Sequence, residues 1–514
     1  MRGIRRYWAT IGLVMAVGVL LRGWDIGAAP LWLDEAYSAY AADHDWSFLW
    51  RVVPLYETHP PFYYSLLHLW AGLFGNSMLA LRLLGLTAGV ATLPVVLLAA
   101  REAGMWIGWD EGARRKLQCA ATGFACVSLA LVEMAREVRP YPVMILAYAG
   151  AILLLLRLAR RVERGQPVKS PAYVGYLLLE EALLWLHNLG PLYGLALTLA
   201  LAVVLLRRRL TRADWQWLVL GHALVAFLYL PGLAILWGQA AAWTASTWLR
   251  FRLNGLLLDR IMTLYGVAGW AGLASLVLAL CALLALRRVD NGIRLATMLI
   301  ALALLPPFCA ILVSLTVTPV FITRIMTPTA VPALLLLGIG AAAEGRHRLV
   351  GIGAAILLGG SMLAGDVQAR ARGPALSWYR TVDWLTARVR PGDVVFAYPN
   401  EGKLTLVYAL RDKGLHLPVR AIPTDVPALE VNHGWHPTGT RGASSLPRDE
   451  LHAIAQDPAT QVIPTIWLLR LAAPTFDPDD QFLQELHRGR YIVRRWRDGP
   501  IDIIGLRKRP IAAR

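Results

Sequence analysis

Trp32-Leu33-Asp34-Glu35-Ala36-Tyr37 and, a short way on, Thr58-His59-Pro60-Pro61 follow directly on an apolar run that ends near residue 28. Two adjacent carboxylates and an imidazole therefore fall where a membrane span gives way to water. Ionisable groups are costly to hold at that depth, which makes them functional candidates by default. Asp34 is the candidate catalytic base, Glu35 a second acid near the site, and the other apolar segments are read as their scaffold.

Composition supports that reading. The 514 residues are 57% hydrophobic and only 17% charged, with a mean hydropathy of +0.49, whereas soluble domains are about one quarter charged. The chain is thus predicted to be an α-helical polytopic membrane protein. Eleven apolar segments approach the length that spans a bilayer: 7–28, 78–99, 117–134, 141–157, 172–188, 190–206, 215–237, 265–286, 295–317, 325–343 and 349–364. The first, preceded by Arg2, Arg5 and Arg6, lacks a small-residue cleavage site and reads as a retained signal anchor.

The net charge of +17 is not gathered in one patch, as a nucleic-acid partner would require, but recurs in clusters between the spans. The N-terminus and loops 101–116, 157–169, 207–212, 287–294 and 346–348 hold 21 Lys and Arg residues, against seven in the opposite loops. Cytoplasmic loops carry such an excess. The N-terminus is therefore expected inside, and the Asp34 loop, the turns at 135–140 and 187–191, and the loops 238–262 and 318–324 outside. Segment 62–75 is too short to span; beginning after Pro60-Pro61, it is read as an interfacial or re-entrant helix. Residues 33–43 are expected to form a short amphipathic helix on the membrane, with Asp34 at its N-terminus, where the helix dipole favours a negative charge.

After residue 364 the apolar spans stop and Pro, Gly, Asp and Arg become frequent. Residues 1–364 are read as the transmembrane domain and 365–514 as a soluble α/β domain on the outer side. Strands are predicted at 393–398, 462–471, 491–496 and 501–506 and helices at 401–410 and 479–488, with Asp498-Gly499 turning the last hairpin. Cys119, Cys126, Cys281 and Cys309 lie in apolar segments without metal-site spacing, so neither a disulfide framework nor a zinc site is implied.

The outer turns collect Asp34, Glu35, Glu57, His59, Glu133, Arg136, Glu137, Arg139, His187, Asn188 and Arg324. Taken singly, a charged residue at a helix end is more often an interfacial anchor, and each histidine could simply cap carbonyls. Taken together on one face, they suit a lipid-linked anion: a guanidinium fork grips phosphate and a carboxylate takes a proton from an attacking hydroxyl. The tyrosines and Trp32 around the loop fit an aromatic belt. Glu180 and Glu181, inside a span, are expected to find partners on neighbouring helices.

The order Asp34-Glu35, then His59-Pro60-Pro61, then Ala135-Arg136-Glu137-Val138-Arg139-Pro140-Tyr141, then His187-Asn188, then Pro319-Val320-Phe321-Ile322-Thr323-Arg324 resembles the GT-C superfamily of polyprenyl-phosphate-sugar glycosyltransferases over about residues 7–345. Its relatives include protein O-mannosyltransferases and bacterial transferases that add aminoarabinose to lipid A. Some relatives have Glu-Lys where this chain has Thr58-His59, and a tyrosine where it has Ile325.

The resemblance implies an inverting transfer of a sugar from a polyprenyl (undecaprenyl) phosphate donor to a hydroxyl of a lipid, glycan or protein acceptor. Asp34 would be the base. Arg136, Arg139 and Arg324 would hold the leaving phosphate, where negative charge grows, and His59, Glu57, Tyr141, His187 and Asn188 would position donor or acceptor. One base suffices for such a displacement; retention would need a nucleophilic carboxylate as well. Asp34, Glu35, His59 and His187 could in principle ligate a divalent metal, but no metal-binding motif is present and no cofactor is predicted as a requirement. The implied place is the bacterial inner membrane, with the site on the periplasmic face. The competing reading is a transporter or lipid flippase, which would more naturally show two related halves and broken spans near the midplane; no internal repeat is visible.

Overall fold

The structure, a computed structural model, describes residues 2–57, 59–206, 208–246, 251–265, 269–345, 348–373, 377–429 and 446–509. Of the segments above, Thr58, Arg207, residues 247–250 of the loop 238–262, residues 266–268 of the span 265–286, Arg346 and His347 lie outside them. All eleven predicted spans fall on helices. They are α1 (Arg2–Gly23), α5 (Met78–Trp106), α6 (Glu111–Val127) continued by α7 (Leu129–Met134), α8 (Tyr141–Glu163), α9 (Pro171–Leu186) and α10 (Gly190–Leu205). Beyond these come α11 (Arg212–Ser246), α12 (Gly255–Leu264) within the segment expected as the loop 238–262, α13 (Trp270–Leu286), α14 (Gly292–Thr316), a 3-10 turn (Thr323–Thr329) running into α15 (Ala330–Ala342), and α16 (Arg348–Arg372). Seven of the described helical stretches are by themselves long and apolar enough to cross a membrane. The protein is a polytopic membrane protein with a C-terminal domain.

Local chemistry explains several boundaries. Ser77, Asp110 and Ser170 accept hydrogen bonds from the first-turn amides of α5, α6 and α9, and Pro171 opens α9 where no N–H is needed. The predicted span 117–134 is broken at Ser128, whose backbone is extended between α6 and α7. Arg22, at the end of α1 and buried, donates to the carbonyls of Gly18, Ala125 and Cys126 and so ties α1 to α6. Glu180 accepts from Thr198 of α10 and lies 3.7 Å from His222 of α11. Glu181, by contrast, accepts from Trp185 on its own helix, contrary to expectation.

Between α1 and α5 the chain folds into α2 (Leu33–Ala42), a short π-helical turn (Phe48–Val52), α3 (Val53–Tyr56) and α4 (Phe62–Phe74). At 13 residues, α4 rises about 20 Å, too little to cross a bilayer, and it leaves Leu69, Leu73 and Phe74 exposed. Helix α2 does not lie on the membrane as expected. Eight of its ten residues are buried, because its small residues let it wedge between α4 and the C-terminal domain.

That domain begins after α16, which runs eight residues past the apolar segment, and opens with α17 (Trp378–Thr386). Its five-stranded sheet has the order β2-β1-β3-β5-β4, from β1 (Val394–Tyr398), β2 (Val419–Ala421), β3 (Thr465–Leu471), β4 (Arg490–Asp498) and β5 (Ile501–Lys508). β1 runs parallel to β2 and β3, while β5 is antiparallel to β3 and β4. Helix α18 (Glu401–Asp412) carries the contact with α2. Tyr37 donates to Glu401 at 2.7 Å, Tyr40 to the Val426 carbonyl at 2.5 Å, and Asp43 accepts from Tyr408 and Arg411.

Candidate active site

Five segments converge at the end of the bundle that carries the C-terminal domain: the first turn of α2, residues 57 and 59–61, the turn 135–140 between α7 and α8, the turn after α9, and the 3-10 turn before α15. Two glycines on α5 admit the second turn. A Cβ on Gly85 would stand 2.8 Å from the Glu137 carbonyl, and one on Gly89 only 2.3 Å from the Ala135 Cβ.

Asp34 is buried, and its Oδ2 meets Arg324 Nη2 at 2.6 Å. Arg324 also stacks over Trp32 at 4.8 Å and Tyr141 at 5.9 Å. Its side chain is 25% exposed against 7% for Asp34, so Arg324 is the member of the pair that an arriving ligand meets first.

Arg139, wholly buried, holds the other side of the helix start. Nη1 donates to the Asp34 carbonyl at 3.2 Å and to Ser38 Oγ at 3.3 Å, and Nη2 lies 3.1 Å from His59 Nε2. His59 Nδ1 lies 2.8 Å from Glu57 Oε1 and 3.3 Å from Arg139 Nη2. Glu57, His59, Arg139 and Asp34 thus form one chain. His187 packs edge-on to the His59 ring at 4.5 Å, and its Nδ1 accepts from the Leu189 amide at 3.0 Å. Tyr141 lies 6.2 Å from His187.

Glu35 points the other way from Asp34. Its carboxylate pairs with buried Arg82 at 2.7 Å and accepts from the amides of Val138 and Trp32. Arg82 in turn donates to the carbonyls of Ile26, Ala29 and Pro30. Glu35 therefore anchors the loop, while Asp34 alone of the two acids faces Arg324.

With this geometry in place, the shape of the chain can be compared with known proteins. It is similar to ArnT from Cupriavidus metallidurans in the apo state, with a TM-score of 0.58 at 13% identity over 98% of each chain. The same protein bound to undecaprenyl phosphate matches at 0.56 and 13%, over 98% of this chain and 97% of that one. The Archaeoglobus fulgidus oligosaccharyltransferase, complexed with Zn and sulfate, matches at 0.50 and 10%, over 97% of this chain and 73% of that one. The chain has a GT-C-like fold. No protein-family model and no characterised protein matches by sequence.

Within this GT-C-like fold, Asp34, Glu57, His59, Arg139, Tyr141, His187 and Arg324 come together as the sequence suggested. Arg136 does not join them. It turns to the opposite side of its loop, where burial and the charges of Arg370 and Arg82 push its guanidinium down to about 10, with Asp25 and Glu133 beside it. No hydrogen bond joins Asn188 to the group among the described residues; its Oδ1 is buried without a partner.

Glu137 takes the place expected of Arg136. Burial, then the neighbouring Glu35 carboxylate, push its carboxyl up to about 8, against the pull of Arg324 and Arg139. Part of the side chain is exposed, but Oε2 is closed off and unpartnered. Arg82 was also missed, although a lone arginine within the apolar run 78–99 was the available signal.

Among the described residues no three His, Cys, Asp or Glu side chains gather as ligands. Both Glu35 oxygens are committed to Arg82 and backbone amides, and both His59 nitrogens to Glu57 and Arg139.

Proposed function

We propose that the protein is an inverting glycosyltransferase that moves a sugar from a polyprenyl-phosphate donor to a hydroxyl of a lipid, glycan or protein acceptor. The observation that carries this reading is the Asp34–Arg324 pair, a buried carboxylate against a partly exposed guanidinium, set beside Arg139 in a GT-C-like fold. Undecaprenyl phosphate, bound by one structural neighbour, is the proposed carrier. The charge pattern of the loops favours the outer face of a bacterial inner membrane for this end of the bundle, with residues 365–514 forming the extracytoplasmic domain.

Each group has a chemical task. The donor phosphate draws the partly exposed Arg324 towards itself and away from Asp34. Arg324 and Arg139 then face the phosphate oxygens, where charge grows as the bond to the anomeric carbon breaks. The acceptor oxygen attacks that carbon from the opposite side and its proton passes to Asp34, while polyprenyl phosphate departs with the bonding electron pair. His59, fixed by Glu57, orients Arg139, and Tyr141 and His187 pack around it.

The test uses the purified protein with a panel of polyprenyl-phosphate pentoses and hexoses plus an extract of envelope lipids and glycans, following release of polyprenyl phosphate by mass spectrometry. The intact protein is expected to consume at least one donor and Asp34→Asn to consume none at a measurable rate. Equal release by the two proteins would refute the assignment of Asp34.

A further inference from the structure

We infer that Gln239, near the outer end of α11, is a positioning residue for the phosphate grip: it holds the segment that carries Glu57 and His59, and through them Arg139, in register with Asp34. The inference rests on the glycosyltransferase reading and adds a residue that lies outside every motif of the sequence.

The geometry is specific. The Gln239 side-chain amide donates to the Pro54 carbonyl at 2.8 Å and to the Glu57 carbonyl at 2.7 Å, residues 185 and 182 positions away. Both acceptors belong to the end of α3. This helix has only four residues, and its C-terminal end presents backbone carbonyls that a side-chain donor can reach. The chain then leaves in an extended conformation at Glu57, towards Pro60 and Pro61. Gln239 supplies two donors to this end from another span. Leu224, Phe227, Leu230 and Trp237 of the same helix are exposed, whereas Gln239 is buried. An amide turned inward from so apolar a helix is held there by its two bonds.

From Glu57 the path is short. Its Oε1 lies 2.8 Å from His59 Nδ1, the His59 ring lies 3.1 Å from Arg139 Nη2, and Arg139 reaches the Asp34 carbonyl at 3.2 Å. Both acceptors are carbonyls, so the requirement is for N–H donors alone. A misplacement of about 1 Å in such a constellation can lower reactivity roughly a hundredfold.

Binding of undecaprenyl phosphate to the full-length protein in nanodiscs, read by Trp fluorescence, tests this without knowledge of the sugar. Gln239→Glu, which sets a carboxylate against two carbonyls, and Gln239→Met, which keeps the length and removes the donors, are expected to weaken binding roughly tenfold or more. Gln239→Lys, which supplies N–H donors, should stay within about threefold of the parent, and thermal melts of all three should show an intact fold. In a His59→Ala background, Gln239→Met should add little further loss, because both changes act through one path. Parental affinity in Gln239→Glu, or fully additive losses in the double variant, would overturn the inference. Failure of the parent protein itself to bind undecaprenyl phosphate would instead refute the glycosyltransferase reading, and this inference with it.

Discussion

Glu137→Gln gives the sharpest check on the electrostatics of the site. In the folded protein the Glu137 carboxyl is raised from 4.5 to about 8, chiefly by burial and by the adjacent Glu35. Between those two values the unfolded chain has released the proton and the folded chain keeps it. Stability from this group is therefore fully present below about 4.5, declines as pH rises, and is lost once pH passes about 8. Each pH unit in that window is worth about 1.4 kcal/mol, so the full loss is on the order of 5 kcal/mol. With an unfolding entropy of about 2.1 cal/mol/K per residue, this predicts a fall in Tm of roughly 4 °C between pH 5 and pH 8. Glutamine has the shape of the neutral acid and no proton to lose, so the variant should lack this component. The assay is thermal unfolding of both proteins, in one detergent at constant ionic strength, across pH 5 to 8.5. Parallel Tm profiles would refute a proton held on Glu137 in the folded state.

Two further outcomes follow from packing. Arg82→Ala leaves the Glu35 carboxylate buried without its cation, and removing one partner of such a pair costs about 3–5 kcal/mol; a clear drop in Tm is expected, and a Tm within 1 °C of the parent would contradict it. Gly89→Ala puts a methyl 2.3 Å from the Ala135 Cβ, displacing the turn that carries Glu137 and Arg139 at a cost of about 1–3 kcal/mol. Sugar transfer should fall further than stability does, whereas Gly12→Ala, where the new methyl meets nothing within 4 Å, should leave both unchanged.

Much of the fold was readable because a bilayer imposes a simple rule: each crossing must be a continuous apolar helix, and the loops must carry the charge. The parts that were not readable depend on contacts between distant segments. Ser128 interrupts α6 and α7 without any proline or glycine to announce it. Helix α2 has the pattern of a surface helix, and its packing between α4 and α18 makes it a buried one. In the turn 135–140, the sequence singles out Arg136 and Arg139 as phosphate grips and gives Glu137 no role. Which of them faces Asp34 depends on the path of the turn over Gly85 and Gly89, and it delivers Glu137 and Arg139 to one side and Arg136 to the other. Charge type alone favoured the arginine.

The same reasoning bears on the C-terminal domain. A ten-residue helix such as α2 is too short to be stable alone, and its first turn holds Asp34 and Glu35. Its C-terminal half is gripped by α18 and the chain near Val426, through Tyr37 with Glu401, Tyr40 with the Val426 carbonyl, and Asp43 with Tyr408 and Arg411. Tyr37 sits three residues after Asp34, hence on the same side of the helix one turn along. Arg139 and Arg82 fix the start of α2 from the membrane side, and α18 fixes its end from the other. Asp34 is thus held by contacts from both domains, with one turn of helix between it and the bond from Tyr37 to Glu401.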